Sequence, residues 1–217
     1  MSGALASHRQ ELADGLAALG LAATPELLTQ LLAFGELLLK WNKVYNLTAI
    51  REPAEVITHH LLDAFSALPW LDRPRTLFDI GSGAGLPGIV FALVCQDMTV
   101  YSVEAVGKKA DFQRQAKIEL KLDNLTVIQR RAEAIRPPEL PGGGAQAVIS
   151  RAFSSLAGFV QMAGHLARED GALYAMKGGY PEAEIAALPA GWRIEDVRPL
   201  VVPGLAAKRH LLRIRRE

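Results

Sequence analysis

The hydrophobic pattern of the chain changes in character near residue 73. Up to about residue 72, apolar residues recur every three or four positions, most clearly between residues 27 and 39, and this spacing predicts amphipathic helices. Thr24 and Pro25 together predict the start of one helix. Pro53 predicts the start of another, which Pro69 ends. Residues 1–72 are therefore expected to form a helical extension.

From residue 76 onwards, short apolar runs alternate with longer helical stretches, which is typical of repeated βαβ units. Five strands are predicted in this way, at residues 76–80, 99–104, 125–129, 147–150 and 172–176. Two further strands, at 192–202 and 210–215, are joined by a loop with Pro203 and Gly204, which predicts a hairpin. The Pro-Gly-Gly-Gly run at 141–144 is predicted to be a flexible loop.

These strands predict an α/β, Rossmann-like fold over residues 73–217, with a mostly parallel, seven-stranded sheet. A parallel sheet that ends in a β-hairpin is typical of class I methyltransferases, whereas nucleotide dehydrogenases usually continue with parallel units. The 217 residues suit one hydrophobic core with a small accessory region, so we expect one compact unit.

Composition and charge limit the cellular compartment and the kinds of partner that we expect. Cys95 is the single cysteine, which excludes a disulfide framework and favours the reducing cytoplasm. There is neither a signal-like start nor an uninterrupted apolar stretch of membrane-spanning length, so we expect no membrane partner. Because the net charge is only +1, any nucleic acid must be bound by a local basic surface.

A glycine-rich segment, Asp-Ile-Gly-Ser-Gly-Ala-Gly-Leu-Pro-Gly at residues 79–88, follows the first predicted strand. Glycines let the backbone turn sharply and let a ligand approach the main chain, and this end of an α/β sheet is where ligands bind. Gly83, Gly85 and Gly88 also satisfy the dinucleotide pattern, with Glu104 about 20 residues further on. The spacing alone therefore leaves an NAD(P)-dependent oxidoreductase open.

Asp79 favours S-adenosylmethionine over a dinucleotide. A carboxylate beside the glycines would repel a pyrophosphate, whereas S-adenosylmethionine carries an ammonium and a sulfonium. Glu104, at the end of the second predicted strand, is expected to accept hydrogen bonds from the ribose hydroxyls. Ala132 and Glu133 follow the third strand, where an adenine edge is usually bound, although an ordinary strand-to-helix loop remains an alternative for them.

Five segments give the chain a resemblance to a known family. They read Lys-Trp-Asn-Lys-Val-Tyr-Asn-Leu-Thr at 40–48, His-Leu-Leu-Asp at 60–63, the glycine segment at 79–88, Ser-Arg-Ala-Phe at 150–153 and Lys-Gly at 177–178. In this order they resemble the RsmG (GidB) methyltransferases, which modify N7 of a guanine in bacterial small-subunit ribosomal RNA. Ser82 and Ala84 depart from the threonine and proline that the family often has, and both replacements are small.

The resemblance implies S-adenosylmethionine as the cofactor and 16S ribosomal RNA as the partner, within the small subunit or an assembly intermediate. It implies guanine 527, in the 530 loop, as the target. Together with the glycine segment, it implies cofactor contacts at Asp79, Gly81, Gly83, Gly85, Leu86, Glu104, Ala132, Glu133 and Arg151. It further makes five residues candidates for binding RNA phosphates, namely Lys108, Arg131, Lys177, Arg209 and His210.

The residue types favour attack by a nucleophile that carries no proton. Cys95 sits in an apolar run and is predicted to be a core residue, which argues against a cysteine nucleophile. Guanine N7 has a free lone pair and needs no general base. Arg151 is therefore predicted to orient the substrate, through guanine O6, a phosphate or the cofactor end. Phe153 is expected either to stack on the base or to pack in the core.

Two other groupings are predicted to be structural. His59, His60 and Asp63 share a helix face, but they lack a fourth ligand, so we predict packing and hydrogen bonding and no metal site. Trp41 and Tyr45 are four residues apart and are predicted to form a packing stripe. A non-catalytic protein that binds ribosomal RNA or assists assembly remains a further alternative.

Overall fold

The computed structural model describes residues 3–137, 143–151 and 153–217. In this part of the chain, seven strands form one sheet in the order β3-β2-β1-β4-β5-β7-β6. The strands are β1 (Thr76–Ile80), β2 (Thr99–Val103), β3 (Leu125–Ile128), β4 (Ala145–Ser150), β5 (Ala167–Lys177), β6 (Trp192–Leu200) and β7 (Arg209–Arg216). The first five run parallel, and β7 pairs antiparallel with both β5 and β6. The predicted sheet and its terminal hairpin are confirmed.

The α-helices flank this sheet. They are α1 (Arg9–Ala18), α2 (Pro25–Tyr45), α3 (Pro53–Glu55), α4 (Asp63–Ala67), α5 (Gly88–Val94), α6 (Gly107–Leu120), α7 (Leu156–Ala163) and α8 (Glu182–Ala186). A π-helical segment (Val56–Leu62) joins α3 directly to α4. Among the described residues, no helix combines the length and the apolar character that crossing a bilayer requires.

The predicted helix starts in the extension are confirmed. The Thr24 hydroxyl accepts a hydrogen bond from the backbone N–H of Leu27 and caps α2, and α3 begins at Pro53. The predicted end at Pro69 lies inside a 3₁₀ turn that follows α4. The π-helical segment was not predicted, because the apolar spacing of residues 56–62 does not distinguish π from α winding.

The helices pack against the two faces of the sheet in unequal numbers. One face is covered by α1, α2, the π-helical segment, α4, α5 and α6, with Phe34, Phe65 and Phe91 fully buried among them. The other is covered by α7 and α8, around Phe159. The N-terminal helices therefore share one apolar core with the sheet. The boundary at residue 72 between extension and core stays a prediction.

Two sequence predictions about single positions have clear outcomes. Trp41 packs α2 against α6, with its ring 5.7 Å from Phe112 and 5.1 Å from Tyr45, so the packing stripe is confirmed for Trp41. Cys95 is partly buried, follows the last residue of α5 and packs against the core from its edge, so the prediction of a core residue is correct only in part. Burial and the charge of Asp97 still raise the pKa of its thiol. The predicted loop at 141–144 lies partly outside the described residues.

Candidate active site

The carboxyl ends of the parallel strands bring the predicted cofactor residues together. Gly81 follows β1, Glu104 follows β2, and Ala132 and Glu133 lie after β3. All four line one cavity of about 120 Å³, which we call the glycine cavity. Arg131 lines it as well. Five residues that were singled out separately in the sequence therefore surround one space.

Glycine is required at different positions of the loop after β1 for different physical reasons. Gly81, Gly83 and Gly85 have φ angles of 62°, 57° and 78°, a region that side chains disfavour. A Cβ at Gly81 would meet no atom within 4 Å, whereas one at Gly85 would lie 2.3 Å from the Ile89 side chain. Gly81 thus opens the backbone to a ligand, and Gly85 permits close packing.

Glu104 connects two loops of the site. One carboxylate oxygen accepts the N–H of Gly83 at 2.9 Å, and the other accepts the N–H of Val106 at 2.8 Å. The side chain is buried. Since each carboxylate oxygen can accept a second hydrogen bond, these contacts leave acceptor capacity on the cavity wall. The fixed carboxylate is compatible with the predicted ribose contact, which stays a prediction.

Asp79 is fully buried and stabilises the glycine loop. Its Oδ2 accepts the N–H of Gly88, the first residue of α5, at 2.8 Å. Its Oδ1 has no hydrogen-bond partner among the described residues. Burial raises the pKa of Asp79 to about 7, although the Gly88 N–H and the charge of Arg151 act in the opposite direction. Sequence analysis predicted a cofactor contact here but missed this structural role.

Gln113 on α6 supports the same loop and was also missed. It is fully buried, and its amide nitrogen donates to the Ser82 hydroxyl at 2.8 Å and to the carbonyl of Gly83 at 2.7 Å. The available signal was a polar amide on the buried face of a helix, beside Phe112. Such a residue must have hydrogen-bond partners, but the sequence does not identify them.

Arg151, directly after β4, meets residues of the N-terminal helices. Its Nη1 donates to the carbonyl of His59 at 3.0 Å and lies 3.3 Å from Oδ2 of Asp63. Oδ1 of Asp63 accepts from Nε of Arg209, at the start of β7, at 2.7 Å. One buried carboxylate therefore binds two guanidinium groups, and we call Arg151 and Arg209 the arginine pair.

Asn42, in the 40–48 segment, belongs to a series of hydrogen bonds that leads to the arginine pair. The buried Asn42 donates to the carbonyl of Ile50 and accepts from the N–H of Thr48, both at 2.9 Å. The Thr48 hydroxyl lies 3.0 Å from Nε2 of His60, whose Nδ1 lies 3.4 Å from Arg151. Burial, and then the charge of Arg151, lower the pKa of His60 to about 3, so this imidazole is neutral at physiological pH.

The arginine pair lines a second cavity, of about 390 Å³, which we call the arginine cavity. His59, His60 and Asp63 line it too, so residues predicted to be structural are part of the candidate site. Phe153 lines both cavities. Its ring lies 5.1 Å from that of Phe159, so it packs on the core and also separates the two spaces.

The five predicted RNA-binding residues lie in three different places. Arg209, Lys177 and His210 are close to the arginine cavity, and Arg131 lines the glycine cavity. Lys108 lies at the start of α6 and donates to the carbonyl of Tyr45.

Lys177 and His210 are already hydrogen-bonded within the chain. Lys177 Nζ lies 2.7 Å and 3.0 Å from the two oxygens of Glu184, a partner that sequence analysis missed, and 2.9 Å from the carbonyl of Phe153. Its side chain is 11% exposed. His210 Nδ1 lies 2.9 Å from the carbonyl of Gly178. These contacts limit the capacity of both residues for binding phosphate.

His59, His60 and Asp63 make hydrogen bonds instead of a metal cage. Each has a partner in Arg151, Arg209 or Thr58. Within the described ranges, no group of three or more His, Cys, Asp or Glu side chains is placed to hold a metal ion.

Comparisons with known proteins place this geometry in a family. Residues 27–212 match the family model GidB, described as rRNA small subunit methyltransferase G. Two relatives named "Ribosomal RNA small subunit methyltransferase G" are 58% and 53% identical, over 212 residues in a species of Azoarcus and over 209 in Aromatoleum aromaticum. These matches cover 98% of both chains in the first case, and 94% of this chain and 97% of the relative in the second.

A solved structure has the same fold. A SAM-dependent methyltransferase from Aquifex aeolicus superposes with a TM-score of 0.55 at 18% identity, covering 81% of this chain and 96% of that one. This similarity supports the α/β methyltransferase fold. By its family match and by both relatives, this chain belongs to the GidB family of rRNA small subunit methyltransferase G.

Proposed function

We propose that this chain transfers the methyl group of S-adenosylmethionine to N7 of a guanine in the 530 loop of 16S ribosomal RNA. The observation that carries the proposal is the pair of cavities on either side of Phe153. One contains the open backbone of Gly81 and the carboxylate of Glu104, and the other contains the arginine pair. Family membership supports the reaction class.

The residues of the glycine cavity fit S-adenosylmethionine. Gly81 leaves its backbone open, and Glu104 keeps acceptor capacity for ribose hydroxyls. Asp79 lines neither cavity, but behind the glycine loop its Oδ1 is buried without a donor among the described residues. An unpaired carboxylate oxygen behind the loop favours a cationic ligand over a pyrophosphate. The cofactor, when bound, supplies a methyl group activated by a sulfonium. Ala132 and Glu133 line the same cavity, and we assign the adenine contact to them.

The residues of the arginine cavity suit a nucleobase whose attacking nitrogen carries no proton. His60 is neutral and has neighbours at both ring nitrogens, and Lys177 is paired with Glu184. Guanine N7 presents a lone pair and no hydrogen, so the protein contributes orientation rather than proton transfer. Arg151 donates to guanine O6 or to a phosphate, because donation to N7 would block the attacking lone pair.

Contacts with RNA phosphates are assigned to Lys108, Arg131 and the arginine pair, with smaller contributions from Lys177 and His210. The substrate is a small ribosomal subunit or an assembly intermediate in the cytoplasm. Methylation of naked 16S ribosomal RNA, intact subunits and assembly intermediates, compared at equal concentration, identifies the form that is used.

Nucleoside mass spectrometry tests the proposal. Small-subunit RNA from cells without the gene, incubated with the purified protein and S-adenosylmethionine, should gain one N7-methylguanosine. Identification of 5-methylcytidine or N6-methyladenosine would contradict the proposed chemistry. RNA binding without any product would favour the non-catalytic alternative. Stabilisation by NADH but not by S-adenosylmethionine in a thermal shift assay would favour an oxidoreductase.

A further inference from the structure

We propose that Asp63 is a positioning residue for the RNA side of the reaction. Its carboxylate holds Arg151 and Arg209 in a fixed orientation on the wall of the arginine cavity, where the pair binds one RNA phosphate beside the target base. This inference rests on the proposed function, since it needs RNA as the substrate. In this role Asp63 acts through the two arginines, and it makes no assigned contact with the RNA or the cofactor.

Burial separates the carboxylate from the two guanidinium groups. The Asp63 side chain is 4% exposed, whereas those of Arg151 and Arg209 are 26% and 23% exposed. All three residues line the cavity, but the carboxylate of Asp63 is nearly closed off from solvent, and the two guanidinium groups are the more exposed part of the wall. Because each oxygen of Asp63 binds a different arginine, the carboxylate fixes both side chains at once.

The charge of the cavity suits one phosphate group. Arg151 and Arg209 contribute two positive charges and Asp63 one negative charge, which leaves one positive charge at the wall. The pKa of His60, about 3, keeps that ring uncharged, and Glu184 offsets Lys177. A phosphate diester carries one negative charge, so it neutralises this wall.

The pair retains hydrogen-bond donors for such a ligand. Arg209 uses Nε for Asp63 and Nη1 for the carbonyl of Lys208. Arg151 uses Nη1 for Asp63 and for His59, and its Nη2 lies 3.4 Å from His60 Nδ1, which leaves Nε and the second N–H of Nη2. A guanidinium group has five N–H donors in a planar fork, which matches two phosphate oxygens. The fork binds in a defined direction only if the guanidinium plane is held, and Asp63 holds it.

The chain offers a matched control for this arrangement. Glu195 on β6 also binds arginines, Arg213 at 2.7 Å and Arg215 at 2.9 Å, with Arg193 further away at 3.6 Å, but it is 29% exposed and lines neither cavity. Glu195→Gln removes one carboxylate among arginines without touching the candidate site. Asp63→Asn makes the same chemical change behind the arginine pair.

The experiment compares these two variants on small subunits from cells that lack the gene. For Asp63→Asn we expect kcat to fall by about 10-fold or more, because the target base is no longer held in a reactive orientation. RNA affinity should not weaken, and its salt dependence should steepen by about 0.7, since a negative charge is lost. Affinity for S-adenosylmethionine should stay unchanged. Glu195→Gln should keep the parental values.

A parental kcat for Asp63→Asn would overturn the proposal, and so would a parallel loss of RNA and S-adenosylmethionine affinity, which indicates a purely structural role. If this variant does not fold, Arg209→Lys takes its place. It retains the charge but not the fork, so kcat should fall while RNA affinity stays within about 3-fold of the parent. A parental kcat in Arg209→Lys would equally overturn the proposal. A parent protein that forms no N7-methylguanosine would instead refute the proposed function.

Discussion

The glycine loop at residues 79–88 and the arginine pair are stabilised in different ways. In the loop, carboxylates and amides bind backbone groups: Asp79 accepts from Gly88, Glu104 accepts from Gly83, and Gln113 donates to Gly83. In the arginine pair, side chains bind side chains, and the partners lie 88 and 146 positions apart in the chain. The loop is thus held through its backbone groups by partners 9 to 30 positions away, whereas the pair depends on contacts between side chains much further apart in the chain.

This difference predicts different consequences of mutation. A substitution in the loop should affect the cofactor and leave RNA binding intact. A substitution at the arginine pair should affect turnover and leave cofactor affinity intact. Five variants and two controls test how cleanly the two regions separate.

Arg151→Ala should give the largest effect. We expect kcat to fall by about 100-fold, since a base misplaced by about 1 Å loses most of the advantage of positioning. The pH profile at saturating cofactor should neither gain nor lose an ionisation, because attack by guanine N7 uses no general base. Steady-state kinetics between pH 6 and 9 measure both quantities.

Cys95→Ser is the control for this variant, and it should retain turnover because Cys95 lies outside both cavities. If Arg151→Ala lowers cofactor affinity by a larger factor than it lowers kcat, the glycine loop and the arginine pair are not separate in function. Arg151 would then act in cofactor binding as well as in turnover.

Glu104→Ala should give the next largest effect. A charge-assisted hydrogen bond contributes roughly 1.5–3 kcal/mol, so S-adenosylmethionine should bind about 10- to 100-fold more weakly. Titration calorimetry measures this change. Glu104→Gln should be milder, because an amide oxygen can still accept the N–H of Gly83. Cofactor affinity equal to the parent in Glu104→Ala would remove Glu104 from the ribose contact.

Asp79→Asn should change a pH dependence. Because burial raises the pKa of Asp79 to about 7, the carboxyl is half ionised near neutrality. A cationic ligand favours the ionised form, so in the parent S-adenosylmethionine should bind more tightly as the pH rises from 6 to 8, by up to about 10-fold. In Asp79→Asn, which retains an acceptor for Gly88, this rise should be absent. A parent affinity that is independent of pH contradicts the assignment.

Folding stability supplies an independent check on Asp79. Its pKa is higher in the folded state than in the unfolded state, so the stabilisation is complete at low pH and is lost as the pH rises towards 7. Urea unfolding at pH 5 and pH 8 should therefore show a larger loss of stability in the parent than in Asp79→Asn.

Lys108→Gln and Lys177→Gln should give the smallest effects and should differ from each other. Lys108 is exposed, so its loss should flatten the salt dependence of RNA binding by about 0.7. Lys177 is bound to Glu184 and largely buried, so its loss should lower stability and leave the salt dependence unchanged. Equal salt slopes for the two variants would show that the pairing with Glu184 does not decide RNA binding.

The sequence predicted those features whose signal is local. Strand periodicity located all seven strands, and the glycine spacing located the loop. β5 begins at Ala167 rather than near residue 172, because its first residues, Arg168 to Asp170, are charged and do not show an apolar strand pattern. The sequence was sufficient to predict that Gly81, Glu104 and Ala132 lie together, because parallel strands end at one edge of the sheet.

The features that were missed depend on side chains meeting across the fold. Asp63, Thr48 and His60 were visible as polar residues on helices and loops, but their partners were not. A buried polar group needs a partner, yet the requirement does not reveal which distant residue supplies it. The arginine pair, the chain from Asn42 to His60 and the bond between Lys177 and Glu184 therefore needed the three-dimensional structure.

The π-helical segment (Val56–Leu62) makes the length of this stretch critical. Deletion of a single residue within it would allow ordinary α-helical winding, in which each residue turns by about 100°, more than in the wider π-helix, so His60 would change direction relative to Asp63. Thr48 could then no longer reach His60 while Asp63 reaches the arginine pair. Insertions and deletions within Val56–Leu62 should thus be tolerated poorly, even where the segment keeps its apolar residues.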